Sequence, residues 1–169
     1  MHTHIGEDSR VSKPTVDSAQ TIISFVKEKG LDGIAITEHY TKDYGRHIRD
    51  IVEREFNGEI LIIAGWEVER RAIEYVELDL PGGGNFRFVV HPGCPYHPSI
   101  YIAEDLEGMH GIEIHNHLHE YQIKKELVQV AVEEYGLITL QNSDAHRLED
   151  IGRFFNEIDL VDLRQQAGL

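Results

Sequence analysis

The chain has 169 residues and a formal net charge of −14, from 16 Lys and Arg against 30 Asp and Glu. This length predicts one domain over residues 1–169, and the acidic balance disfavours extended nucleic acid, whose capture depends on basic side chains that neutralise phosphates. No apolar run is long enough to cross a membrane, the longest lying near residues 60–66. With Cys94 as the single cysteine and no secretory signal in view, we expect a cytoplasmic location.

The hydrophobic pattern predicts strands that alternate with helices. Apolar residues three and four apart indicate amphipathic helices, and short runs of Ile, Val and Leu indicate buried strands. In chain order the predicted elements are an extended segment at 2–5, a helix at 15–29, a strand at 33–37, a helix that ends near 57–58, a strand at 60–64, a hairpin of 73–80 with 86–90, a short helix within 98–109, a strand at 111–114, a helix at 120–135 and a strand at 137–141. The glycine-rich run at 81–85 is interpreted as the hairpin turn and not as a phosphate-binding loop.

Strands separated by helices imply right-handed βαβ units around a parallel sheet. We therefore predict an α/β fold in the form of a small, distorted, TIM-like (β/α)7-like barrel, with about six or seven strands. In such a barrel the carboxyl ends of the strands meet at one face, where the chemistry is found. Residues that follow the strands are therefore the candidates for a functional site.

Residues that can bind metal ions follow the predicted strands at several places. His2 and His4 are two residues apart, so that in an extended segment both side chains point the same way. Glu67 follows the most apolar strand, and a carboxylate at that position can bridge two ions. The other candidates of this kind are His39, His91, His115, Asp144 and His146. Any one of them alone is more simply a surface or core residue, but their recurrence at strand ends favours a shared metal site.

The ligand types indicate which ions and which reaction this site would serve. Imidazole and carboxylate without thiolate suit manganese, zinc or iron, and more than four ligands imply more than one ion. A multinuclear site can deprotonate a bound water near neutral pH and hold both the attacking and the leaving oxygen of a phosphoryl group. The sequence thus predicts a hydrolase that cleaves phosphate esters with a metal-bound hydroxide, with Glu67 and Asp144 as its catalytic residues.

Five motifs resemble the ordered motifs of the PHP (polymerase and histidinol phosphatase) superfamily. They are His2-Thr3-His4, Thr37-Glu38-His39, Gly65-Trp66-Glu67, Val90-His91-Pro92-Gly93 and Ser143-Asp144-Ala145-His146, and the resemblance runs from residue 2 to about residue 152. It implies a distorted seven-stranded β/α barrel, usually with a trinuclear metal site, and hydrolysis of phosphate esters. The chain is accordingly expected to be a small metal-dependent phosphoesterase formed by one PHP domain.

The resemblance also implies how two or three divalent ions would be shared. The first ion would lie among His2, His4, Glu67 and Asp144, the second between Glu67 and His91, and the third among His39, His146 and a residue of the loop after His4. For that loop residue Asp8 is preferred and Glu7 is the alternative. Relatives usually carry a further His between the bridging Glu and the His-Pro-Gly motif, but here Tyr75 or Val76 occupies the comparable strand. We expect His115 to take its place.

Substrate recognition is predicted less directly. Arg10 and Arg147 lie close to ligand motifs and suit bidentate contact with phosphate, although a salt bridge to Glu149 or Asp150 is an equal alternative for Arg147. His97 is weighed as a substrate contact against a turn residue. His117 and His119 continue the alternation from His115 and could reach the mouth of the site, but they are expected to be exposed loop residues. The favoured substrates are small phosphomonoesters or nucleotides. The alternatives are an exonuclease-type phosphodiesterase, a non-catalytic PHP-like metal-binding module and a hydrolase of carbon–nitrogen bonds.

Overall fold

The structure, a computed structural model, describes residues 1–70, 73–94, 98 and 100–169 and has a mixed α/β fold. A curled sheet contains six strands in chain order, which are β1 (Gly33–Ile36), β2 (Leu61–Arg70), β3 (Ile73–Asp79), β4 (Asn85–Val89), β5 (Gly111–Asn116) and β6 (Ile138–Asn142). The helices are α1 (Val16–Glu28), α2 (Asp43–Glu55), α3 (Ala103–Leu106), α4 (Lys125–Tyr135) and α5 (Leu160–Gln166), with 3₁₀ turns at Ile5–Glu7 and Leu148–Asp150. None of the helices in these described ranges is long and apolar enough to cross a membrane.

The strand directions bring many strand ends to one edge of the sheet. The pairs β1–β2, β4–β5 and β5–β6 are parallel, whereas β3 is antiparallel to both β2 and β4. Five strands therefore end at the same edge, and β3 begins there. The predicted hairpin of β3 with β4 is confirmed, but β2 runs beyond its predicted end at residue 64, because Gly65–Arg70 pair with Ile73–Leu78.

A short segment at residues 2–4 links the first and last strands of the sheet. The Thr37 amide donates to the Thr3 carbonyl at 2.8 Å, and the Asp144 amide donates to the His2 carbonyl at 2.9 Å. In the described residues this segment forms an isolated bridge, Thr3 with Ala145, and not a full strand. The observed architecture is thus a curled six-stranded half-barrel, where the sequence predicted a seven-stranded barrel.

The two faces of the sheet are buried against different partners. One face packs against α1 and α2 and, farther along, against α3 and α4. The other, which we call the inner face, is filled by strand side chains and by Leu163 of α5. Its strand residues include Ala35, Ile63, Val76, Leu78, Phe86, Phe88, Val90 and Leu140. Because strand residues alternate between faces, polar residues two positions beyond this core lie above it at the edge where the parallel strands end.

Candidate metal centre

Four side chains converge above the inner-face core to form what we call the first cluster: His2, His4, Glu67 and Asp144. The Nε2 atoms of His2 and His4 are 3.0 Å apart, and those atoms lie 3.5 Å and 3.2 Å from Glu67 Oε2. Asp144 Oδ1 lies 3.5 Å from His2 Nε2 and 3.4 Å from His4 Nε2. Ligand atoms at about 2.1 Å from a tetrahedral ion are separated by about 3.4 Å. Five distances within the first cluster, at 3.0–3.5 Å, are close to this value, and His2, His4 and Glu67 can together offer ligand atoms to one ion.

The polar atoms of the first cluster fit a cation. Asp144 is 4% exposed, and its Oδ1 has no hydrogen-bond partner among the described residues. Burying a carboxylate oxygen without a partner is costly, and an ion at the centre of the cluster would remove that cost. The backbone φ of Asp144 is 50° and that of His91 is 32°, both in the left-handed region that non-glycine residues rarely adopt. Strain of this kind is concentrated at functional sites.

Glu113, on the inner face of β5, supports the first cluster from below. This carboxylate is fully buried and contacts His2 Nδ1 at 3.0 Å, so that His2 directs its other nitrogen, Nε2, into the cluster. It also accepts hydrogen bonds from the His91 amide and from the side chains of Asn116 and Asn142. A carboxylate behind a ligating imidazole is a common arrangement in metal sites. Sequence reasoning missed Glu113, although a Glu inside the apolar run Gly-Ile-Glu-Ile requires a buried polar partner.

A second group of ligands, His39, His146 and Glu7, lies at the more exposed side of the site. His39 Nε2 is 3.2 Å from Glu67 Oε2, and its Nδ1 is 3.0 Å from Glu7 Oε1. Glu7 Oε2 lies 3.9 Å from His146 Nε2, and His4, Glu7 and His146 can together offer ligand atoms to one ion. The structure therefore brings the alternative loop residue, Glu7, to this position.

Asp8, the preferred loop ligand, turns away from the imidazoles. Its carboxylate accepts hydrogen bonds from the Arg10 guanidinium and from the Leu148 amide, and these donors hold the pKa of Asp8 well below its usual range. Glu38 accepts a hydrogen bond from the Gly6 amide at 2.7 Å, which fixes the 3₁₀ turn that ends at Glu7. The turn thus exposes Glu7 to the site and buries Asp8 behind it.

Arg10 is also paired with carboxylates, those of Asp8 and Glu149. Its guanidinium forms bidentate contacts both with Asp8 and with Glu149, at 2.5–2.9 Å. These two carboxylates take up the donors that its predicted role as a phosphate contact would need. Arg147 is exposed and directly follows His146. Of its two alternative partners, Glu149 is paired with Arg10, and Asp150 lies 3.7 Å from Arg153 and 4.0 Å from His117. Of the two arginines, Arg147 is the one whose position leaves it open to a ligand.

The bridging position of Glu67 is supported by its second oxygen. Glu67 Oε1 lies 3.0 Å from His91 Nε2, on the side opposite the contacts of Oε2 with His2, His4 and His39. Glu67 has a side chain that is 8% exposed, so this carboxylate is held between two sets of imidazoles with little access to water. Glu74, at the start of β3, also approaches His91, with its Oε2 3.5 Å from Nδ1.

His115 does not join these ligands, because β5 contains a bulge. Glu113 pairs with Leu140 and His115 pairs with the next residue, Gln141, so the register shifts by one and the side chains after Glu113 change face. Asn116 takes the inner position, with its Nδ2 3.2 Å from Asp144 Oδ2. His115 instead contacts Glu120 at 2.7 Å and packs its ring 5.4 Å from that of Phe154.

The β5–α4 loop brings one unexpected histidine to the rim of the site. His119 Nε2 is 3.7 Å from Asp144 Oδ2, and its ring centroid is 4.9 Å from that of His91. Its Nδ1 contacts Gln122 Oε1 at 3.1 Å. The alternation of histidines from His115 onward indicated that this side chain could reach the site, although an exposed loop residue was expected. His117 is 42% exposed and faces Asp150 at 4.0 Å, and His97 lies outside the described residues.

The carboxylates and imidazoles of the site shift one another's pKa values. Burial opposes protonation of His2, but surrounding carboxylates, led by Asp144, raise its pKa well above the ordinary value. A hydrogen bond with Glu67 raises the pKa of His39 to about 9. Burial alone would raise the pKa of Glu67, but the nearby imidazoles lower it far below its usual range. Burial lowers the pKa of His4 to about 4, which leaves a neutral imidazole suited to metal ligation.

Two solved structures are among those that match this chain in fold. One is a protein of Bifidobacterium adolescentis described, by inference, as a metal-dependent phosphoesterase: the TM-score is 0.63 at 12% sequence identity, over 88% of this chain and 90% of that one. The other is PsfC from Pseudomonas syringae, with a TM-score of 0.61 at 15% identity, over 96% of this chain and 85% of that one. No family model and no curated protein matches the sequence. At these identities the likeness shows the fold.

Proposed function

We propose that this protein is a metal-dependent phosphoesterase of the PHP type, which hydrolyses small phosphomonoesters with two or three divalent ions, Mn, Zn or Fe. The observation that carries the proposal is the first cluster, in which five distances between ligand atoms from three parts of the chain, at 3.0–3.5 Å, match the spacing of atoms around a metal ion. The fold shared with the Bifidobacterium adolescentis protein supports the same reaction class.

Each residue of the site would have a distinct task. His2, His4 and Asp144 would hold the first ion, and Glu67 would bridge to the second position beside His91. His39, His146 and Glu7 would hold the third. Divalent ions held there would act as Lewis acids toward phosphoryl oxygens and make water a stronger nucleophile.

Two residues at the rim would act on substrate. His119 directs Nδ1 at the Gln122 carbonyl oxygen, so Nε2 is the atom that can carry a proton toward a leaving oxygen. Arg147, exposed beside His146, can contact phosphate oxygens with its guanidinium. Arg10 is not assigned this task, because Asp8 and Glu149 occupy it. The net charge of −14 favours small phosphorylated substrates over extended nucleic acid.

Metal content and turnover of the Glu67→Gln variant test the proposal. We expect two or three ions per wild-type chain by elemental analysis, together with hydrolysis of an aryl phosphate in the presence of Mn²⁺. Because Glu67 contacts both sides of the site, Glu67→Gln should lose at least one ion and reduce turnover by at least about 100-fold. A matched control is Glu69→Gln, two residues farther along β2 and exposed. One ion and no turnover in the wild-type protein would contradict the enzymatic proposal and favour a non-catalytic metal-binding module.

A further inference from the structure

The antiparallel direction of β3 places an unassigned carboxylate at the metal centre. Because β3 begins where the parallel strands end, Glu74 lies at the same edge as His91, and the Val90 amide donates to the Glu74 carbonyl at 3.1 Å. Glu74 alternates with Val76 and Leu78, which belong to the inner-face core. Its side chain therefore extends from the same face that carries Glu67.

The distances around His91 describe a second ligand group that shares Glu67 with the first cluster, and His91 can also offer a ligand atom together with His2 and Asp144. Glu67 Oε1 is 3.0 Å from His91 Nε2, and Glu74 Oε2 is 3.5 Å from His91 Nδ1. One ligand atom from each of the three residues can be chosen so that all lie within 4.8 Å of one another. Glu67 and His91 alone would supply two donors, whereas catalytic ions usually have three protein ligands and an open position.

We propose that Glu74 is the third protein ligand of an ion shared with Glu67 and His91. This inference rests on the proposed function, since it assumes that the centre binds metal. Two carboxylates with one imidazole make this position richer in oxygen than the first cluster, which favours Mn²⁺ over Zn²⁺. The Glu74 side chain is 34% exposed, so the ion would lie on the side of the site that faces solvent and substrate.

The competing role for Glu74 is to orient His91 through Nδ1 without touching an ion. The separation of 3.5 Å between Glu74 Oε2 and His91 Nδ1 is close to the separation of about 3.4 Å between two ligand atoms of one ion, which supports direct ligation. The two roles predict different results for two substitutions. An amide at position 74 could still accept a hydrogen bond from Nδ1 but is a poor metal ligand, whereas an imidazole can ligate but no longer offers a carboxylate acceptor.

The test is the number of Mn²⁺ ions bound by the wild-type protein and by the variants Glu74→Gln, Glu74→His and Glu69→Gln. Glu69→Gln is the control, because it removes the same charge at the residue that pairs with Glu74 across the two strands. Bound ions are counted by elemental analysis after dialysis, and affinity is measured by Mn²⁺ electron paramagnetic resonance titration. We expect Glu74→Gln to lose one ion per chain, or to bind it about 10–100-fold more weakly. Glu74→His should restore the ion, and Glu69→Gln should match wild type.

The outcomes separate this inference from the function on which it rests. If Glu74→Gln binds as many ions as wild type with the same affinity, or if Glu74→His loses the ion that Glu74→Gln keeps, ligation by Glu74 is wrong while the phosphoesterase proposal stands. If the wild-type chain binds no ion, both proposals are wrong. Circular dichroism of each variant excludes loss of folding as the cause of a lost ion, and restoration in Glu74→His does so independently.

Discussion

Individual carboxylates at this centre act in different ways because their surroundings differ. Glu67 and Asp144 face imidazole nitrogens with oxygens that are available to an ion, whereas both oxygens of Glu113 are occupied by four donors. Glu113 is therefore a positioning residue: it orients His2 and holds the backbone of His91. Its effect on metal binding should pass through those two histidines.

Replacement of Glu113 by Gln should weaken both the fold and ion binding. The new amide would place an NH₂ group against donors that now face a carboxylate oxygen, which should lower the free energy of unfolding by about 1–3 kcal/mol. Loss of the carboxylate behind His2 should also weaken ion affinity by about 10–100-fold. Urea unfolding and Mn²⁺ titration measure the two effects. The exposed Glu133→Gln change on α4 is the control and should alter stability by less than about 0.5 kcal/mol. Unchanged affinity in Glu113→Gln would contradict the positioning role.

At the level of elements, β3 is held in place by a lysine at the start of α2. Lys42 Nζ lies 2.6 Å from Glu77 Oε1 and 2.5 Å from Asp79 Oδ1, and its side chain is 10% exposed. Burial by itself would raise the pKa of Glu77, but hydrogen bonds from Lys42 and Arg87 lower it, and Lys42 likewise lowers the pKa of Asp79 against the effect of burial. This contact ties α2 to the strand that presents Glu74.

Replacement of Lys42 by Met should destabilise the protein by about 2–3 kcal/mol, since it leaves two partly buried carboxylates without their ammonium partner. Arg46→Met is the matched control: Arg46 also contacts Asp79, but its side chain is 47% exposed, so a change below about 1 kcal/mol is expected. Thermal unfolding of both variants and of the wild-type protein at several pH values measures these changes in stability.

The pH dependence of the Lys42→Met effect has a defined sign. Carboxyls whose pKa is lower in the folded state stabilise it above their unfolded pKa, near about 4, and this contribution is lost as the pH falls through the folded value. The difference in Tm between wild type and Lys42→Met should therefore be large at pH 7 and shrink below about pH 4. A difference that stayed constant over this range would show that packing of the lysine stem, and not its charge, holds α2 to β3.

For the whole molecule, metal binding should be coupled to folding. The predicted ligands come from the segment at residues 2–4, from β2 and from the ends of β1, β4 and β6, so that ions would join both ends of the curled sheet. They would also offset part of a net charge of −14 at the place where carboxylates are most concentrated. The native state alone assembles this set of ligands, and an ion bound to it stabilises the fold by mass action.

Removal of metal by a chelator should lower the Tm of the protein. A ligand at about 100 times its Kd contributes about 2.7 kcal/mol, which corresponds to about 5–10 °C for a chain of this size. Differential scanning calorimetry with EDTA and then with excess Mn²⁺ measures the loss and its recovery. The Tm of Glu67→Gln should change less on metal removal than that of wild type, whereas the Tm of Glu69→Gln should change by the same amount as wild type. A Tm that is the same with EDTA and with Mn²⁺ would contradict this coupling.

The sequence by itself determined the α/β class, most of the elements and the residues that could serve as ligands. Hydrophobic periodicity and short apolar runs are local properties, so the helices and strands could be located from neighbouring residues. The rule that parallel strands end at one face then predicted that His2, His4, Glu67, His91 and Asp144 would meet, and the structure brings these side chains together.

Only the tertiary structure decided which further residues lie at the candidate site. The bulge in β5 directs Asn116 inward in place of His115, and the 3₁₀ turn presents Glu7 in place of Asp8. The reversed direction of β3 brings Glu74 beside His91. Strand direction and register depend on pairing between distant segments, and a shift of one residue moves a side chain to the opposite face. Local sequence patterns do not contain that information, which is why ligand types were predictable while their final partners were not.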